Sequence, residues 1–208
     1  MSLAAIPTTD RLTVLAGALA VFIFVSGASA SQDGRVTISE SESESHYEVT
    51  GLTPRHLANS FRNQPRRGEM ARTDGGLSLA FDFAYGGEGC RLTGGDIAIT
   101  IHTTYPRWRE RDRGPQVMRE EWDRFMAALR EHETIHGDLF RDEAHRLAGR
   151  LENLPPSPSC DGLHQSIAAE RERFDRDINA AQAAYEIRTR NGASQGARLR
   201  FREMGSAD

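Results

Sequence analysis

The sequence predicts an α+β domain, a small and mostly antiparallel sheet packed on two long antiparallel helices. Three observations carry this. From Leu77 to Tyr85, and again at Ile97, Ile99 and Ile101, apolar residues alternate with polar or small ones, the period of half-buried strands. Trp122, Phe125, Met126, Leu129, Phe140, Ala144, Leu147 and Leu151 recur at about 3.6, the stripe of a long amphipathic helix. A second stripe, Leu163, Ile167, Phe174, Ile178, Ala181 and Tyr185, begins just beyond Pro155, Pro156 and Pro158. Two long helices joined by so short a loop lie antiparallel.

The elements follow in order. Leu12 to Val25 is an apolar run after Arg11, and Ala28-Ser29-Ala30 is a small-residue cleavage site. Residues 1–30 therefore read as a signal peptide, which makes residues 31–208 one exported domain, periplasmic or secreted. The run is short for a transmembrane helix, so membrane contact is expected only through this segment during export. The Ser-Glu alternation from Ser39 to Ser45 has no apolar face and reads as solvated loop or strand edge. His46 to Val49 reads as a short strand. Thr53-Pro54 has the form of an N-cap followed by proline at the first helical position, with a short helix to about Asn63 ended by residues 65–68. The two alternating strands are expected to pair antiparallel through a glycine-rich loop carrying Cys90, with Pro106 ending the second. Pro115 opens the first long helix, which reaches about Leu151. The second follows Cys160, and Asn191 to Gly196 forms a turn able to fold back.

The chain carries 26 basic residues, all of them arginine, against 30 acidic ones, for a net charge of −4. The arginines are scattered among acids with no basic stripe, which argues against a nucleic-acid partner. Cys90 and Cys160 are the two cysteines, and an even count in an exported chain predicts one disulfide.

The chemistry lies in His132-Glu133-Thr134-Ile135-His136, an H-E-x-x-H motif on the first long helix. Histidines four apart stand one turn apart on one face, so both imidazoles can reach one metal. At about 100° per residue, His132, Glu133 and His136 fall inside the apolar stripe. Buried there, they need a partner, and a metal ion supplies one. Glu133 is placed to take a proton from a water on that metal. A catalytic zinc site needs a third protein ligand. Glu143 lies about 10 Å further along the helix and reads as a second-layer or core-edge acid. Leu139 and Asp142 exclude the metzincin pattern. His145 points to solvent. His102 and His164 stay open as third ligands, and His46 and His56 have no supporting neighbours.

Further motifs follow the same order as in a known family. Tyr105-Pro106-Arg107-Trp108 closes the sheet region, and Trp122-Asp123-Arg124-Phe125 enters the H-E-x-x-H helix. Cys160 precedes the last helix, and Tyr185-Glu186-Ile187-Arg188-Thr189-Arg190-Asn191-Gly192 ends it. Over nearly all of residues 31–208 this resembles the exported bacterial zinc-dependent protease family known as domain-of-unknown-function family nine-two-two. That resemblance implies a zincin-like fold, Zn²⁺ on His132 and His136, and Glu133 as the general base acting on a peptide or protein substrate. The family's last segment has a Tyr-Asp-x-x-Thr-x-His-Gly form, and its histidine would be the natural third ligand. This chain has Asn191 there, a weak neutral oxygen donor. Three readings stay open. Asn191 is a loop residue with the ligand elsewhere, it is a weak third ligand, or catalysis is lost and a periplasmic binding or scaffold module remains. By analogy with zincins, Ile97 to Thr103 is the edge strand that would hold an extended peptide.

Overall fold

A computed structural model describes residues 35–64 and 69–201. The expected signal peptide and the helix stop at 65–68 lie outside the described residues. β1 (Arg35–Val49), α1 (Pro54–Arg62), β2 (Arg72–Gly86), β3 (Gly89–Trp108), α2 (Gln116–Glu152) and α3 (Cys160–Thr189) follow in that order. The three strands form one mixed sheet packed on the helices, so the α+β reading holds and the mostly antiparallel one is corrected. The strand order is β1-β3-β2, with β2–β3 antiparallel and β1–β3 parallel. The tight hairpin between β2 and β3 returns the chain along the direction of β1, which then pairs with the far side of β3.

Of the two readings of the Ser-Glu run, the strand edge holds and the loop does not: the run lies in β1, a 15-residue edge strand that ends in the expected His46–Val49 stretch. Its alternation has a physical use. Glu40 and Glu42 turn inward to Arg141 of α2, and Glu44 meets Arg130 at 3.0 Å. The intervening side chains turn outward, where Ser43 and Ser45 each lie 2.9 Å from a ring nitrogen of His102. The period is that of a strand, but ion pairs to arginines stand where apolar contacts were sought.

β3 is also longer than the sequence suggests. It includes Cys90, expected in the loop, and passes through Pro106, expected as its end. β2 stops at Arg72, opposite Thr104, so Pro106 is paired on one side only, with Tyr47 of β1. A residue without an N–H is tolerated at such an edge position. The segment Ile97 to Thr103 is the middle of the sheet, paired on both sides, and cannot be the peptide-binding edge.

The helices follow the expected bounds closely. Thr53 Oγ1 caps α1 by accepting from the His56 amide at 3.3 Å. Ser159 Oγ caps α3 by accepting from Gly162. Cys90 and Cys160 form the disulfide, and Cys90 also exchanges two backbone hydrogen bonds with Ser157. The start of α3 is thereby fixed to the hairpin end of the sheet.

α2 spans two apolar cores. Met118, Trp122, Phe125 and Leu129 pack with Phe61, Trp108 and Leu199. Phe140, Leu147 and Leu151 pack with Ile97, Ile99, Leu163 and Phe174. His132, Glu133 and His136 occupy the turn between them, all buried. The chain after α3 runs back along the first half of α2. There the buried Glu121 accepts from the Arg200 amide at 2.7 Å and pairs with the guanidinium groups of Arg124 and Arg200.

Burial opposes ionisation of Glu121, but the hydrogen bonds from Arg124 and Arg200 outweigh it and lower its pKa to about 2. That lies below the value of about 4.3 for an unfolded glutamate. Its contribution is therefore present above the unfolded value and lost as pH falls toward the folded one. Melting curves at pH 7 and pH 3 should show Glu121→Gln less stable than wild type at pH 7 and nearer to it at pH 3. A gap that does not narrow with acid would contradict this assignment.

Candidate metal centre

The antiparallel packing of α2 and α3 sets Gln182, Tyr185 and Glu186 against the H-E-x-x-H turn. Phe140 and Phe174, in edge contact at 5.3 Å, fix the offset of the two helices. The Nε2 atoms of His132 and His136 lie 3.2 Å apart. Glu186 Oε1 lies 3.0 Å from the second of these and 3.6 Å from the first. His132, His136 and Glu186 thus form a group whose ligating atoms all fall within 4.8 Å of one another.

A layer of neutral amides sets the tautomers. Gln182 Nε2 donates to the His136 carbonyl at 3.0 Å, so its Oε1 is the atom that meets His136 Nδ1. Gln195 Oε1 accepts from the Tyr185 hydroxyl at 3.1 Å and lies 2.9 Å from His132 Nδ1. In the neutral rings both Nδ1 atoms therefore carry the proton, and both Nε2 atoms present a lone pair. Tyr185 stacks on His132 and meets His136 edge-on. Two imidazole lone pairs and a carboxylate converging in a buried site repel one another unless a cation joins them. Glu186 Oε2 is buried with no hydrogen-bond partner among the described residues, a further acceptor for such a cation.

Glu133 stands beside this group. Its Oε2 accepts from Thr73 Oγ1 of β2 at 2.8 Å, and Thr73 is in turn 3.1 Å from Thr103 Oγ1. Burial raises the pKa of the Glu133 carboxyl, against the opposing effects of the Thr73 hydrogen bond and the two histidines. A cleft of about 530 Å³ opens here between β2 and α3, bordered by Thr73, Gly75, Glu133, His136, Phe140 and Glu186. Of the three groups, His136 and Glu186 border this cleft, and His132 lies behind them.

The structure brings together the two histidines that the motif singles out and places Glu133 at the same cleft as His136. Asn191 lies on the exposed side of the turn after α3, with φ at 53°. That turn does reach the site, through Gln195 and through Gly192, where a Cβ would lie 3.2 Å from His132 Cγ. His164 is exposed and lies against Phe83, with ring centres 4.6 Å apart. His102 is held by serines on the outer face of the sheet. Glu143 is buried at the core edge between Arg146 and Arg150, and His145 is exposed. The residues missed are Glu186, Gln182 and Gln195. Ile178, Gln182 and Glu186 stand four apart, so two polar residues continue an apolar stripe toward the end of α3, a signal of the same kind as the histidines in α2.

If Gln182 and Gln195 set the tautomers, Gln182→Leu and Gln195→Leu should each weaken metal binding by about 10- to 100-fold. Competition titration against a chromophoric chelator measures this. Unchanged affinity in both variants would contradict the role given to them.

No curated protein and no solved structure matches this sequence. Residues 44–193, most of the chain, match the family described as bacterial protein of unknown function (DUF922). The match runs from the last residues of β1 through α3 and includes all three members of the His-His-Glu group. The chain belongs to the DUF922 family.

Proposed function

We propose that this protein is an exported zinc-dependent peptidase, with His132, His136 and Glu186 as the metal ligands and Glu133 as the general base. One observation carries the reading: two imidazole Nε2 atoms and a carboxylate oxygen lie together, and His136, Glu186 and the buried Glu133 all border one open cleft. Two imidazoles and a carboxylate suit Zn²⁺. A zinc ion held there would supply Lewis acidity, polarising a carbonyl and making water more acidic. Glu133 takes the proton of the attacking water and returns it to the leaving amine. The zincin comparison rests on this chemistry and on the helix-borne motif.

The substrate is a peptide in extended form. β2 is an edge strand, and its Arg72 to Gly76 stretch borders the cleft. Arg171 Nη1 donates to the Leu77 carbonyl at 3.1 Å and covers the edge beyond that stretch. An extended chain could add to the open part through backbone hydrogen bonds. Export to the periplasm or beyond fits the disulfide, a bond of oxidising compartments.

Zinc content and hydrolysis of a mixed peptide library test the assignment together. Wild type should carry about one zinc per chain and cleave peptides. Glu133→Gln should keep the zinc and lose about 10²- to 10⁴-fold in rate. Glu186→Ala should bind zinc more weakly, while Asn191→His should leave zinc affinity unchanged. Zinc-loaded wild type no more active than Glu133→Gln would refute the peptidase. A tighter site in Asn191→His would return the third-ligand role to the turn.

A further inference from the structure

Glu133 borders two cavities. One is the cleft with His136 and Glu186. The other, about 290 Å³, lies between α2 and the β1 side of the sheet and is bordered by Glu42, Glu44, Thr103, Tyr105 and Arg141. A Cβ at Gly137, one turn after Glu133, would lie 3.3 Å from Arg141 Nη1. The second cavity is therefore a polar alternative for the Glu133 carboxylate on the side away from the cleft, with Arg141 in it already paired with Glu40, Glu42 and Asp138. Thr73 borders only the first cavity, Thr103 and Arg141 only the second. The Thr73 hydroxyl bonds Glu133 Oε2, and the buried Thr103 holds that hydroxyl from behind.

We infer that Thr73 is a positioning residue: its hydroxyl, backed by Thr103, keeps the Glu133 carboxylate on the cleft side and leaves Oε1 for the reacting water. A buried carboxylate between two polar cavities has two environments to choose from. One hydrogen bond to a charged acceptor is strong enough to decide between them. Thr73 also belongs to the β2 edge, so the strand proposed to hold substrate and the base that acts on it are joined by one side chain. The kinetic consequence rests on the peptidase reading; the placement of Glu133 does not.

The test compares zinc-loaded wild type, Thr73→Val and Thr73→Ser. Valine keeps the shape and suits a strand, and serine keeps the hydroxyl. Crystal structures should show the Glu133 carboxylate displaced toward Arg141 in Thr73→Val and back in place in Thr73→Ser. In the peptide assay, Thr73→Val should lose about 10- to 100-fold in kcat, with KM and zinc content held, and Thr73→Ser should recover most of it. A Glu133 carboxylate that stays in place in Thr73→Val overturns the inference, whatever the activity. So does a serine variant as impaired as the valine one. If wild type shows no Glu133-dependent hydrolysis, the peptidase reading fails and the crystal comparison alone decides the role of Thr73. Should Thr73→Val not fold, Thr103→Val removes the support one step back and is expected to displace Glu133 in the same direction; an unmoved carboxylate there also overturns the inference.

Discussion

Two imidazole nitrogens and a carboxylate oxygen, all bearing lone pairs, meet where α2 passes from one apolar core to the next. Left to themselves these atoms repel, and burial deprives them of water's screening. The surrounding structure is arranged to hold them together. Gln182 and Gln195 keep both Nδ1 atoms protonated, and Tyr185 packs against both rings. The cores on either side anchor α2 well away from the site, so the polar turn sits on a helix it need not stabilise itself.

The rest of the fold fixes the partners of α2. Phe140 against Phe174 sets the offset that brings Glu186 opposite His136. The disulfide and the Cys90–Ser157 bridge hold the other end of α3 to the hairpin. A disulfide closing a loop of 70 residues contributes on the order of 4 kcal/mol in the chain-entropy account. The tail after α3 is drawn back by Glu121 and Arg124, and this seats Gln195 under His132. Each constraint acts at a distance on the same few atoms.

The parts legible in the sequence are those specified within one element. The α2 stripe, its histidine pair and the proline stop belong to a single helix, where spacing alone fixes the face. The caps at Thr53 and Ser159 are local for the same reason, though Ser159 was passed over in favour of the cysteine after it. Only the last residues of β1, His46 to Val49, are legible as strand, because Glu40, Glu42 and Glu44 on its inner face pair with arginines that only the folded helix supplies. β3 is longer than its alternation shows because Gly94 and Gly95 carry no apolar signal; a side chain at Gly95 would collide with the Phe81 ring, so the glycine serves packing inside a continuous strand. Parallel pairing of β1 with β3 depends on the path of the whole sheet. Glu186 is marked in the sequence only by its place on the Ile178–Gln182 stripe, and its role exists only across the α2–α3 interface, where it meets the two histidines.

The central claim is that this His-His-Glu group is a metal site completed by α3. X-ray absorption at the zinc edge of the loaded protein tests it most directly. The account predicts two imidazole nitrogens and oxygen donors at about 2.0–2.2 Å, with the spectrum altered in Glu186→Ala and the imidazole signal retained. A first shell without imidazole, or one that Glu186→Ala leaves unchanged, would contradict it.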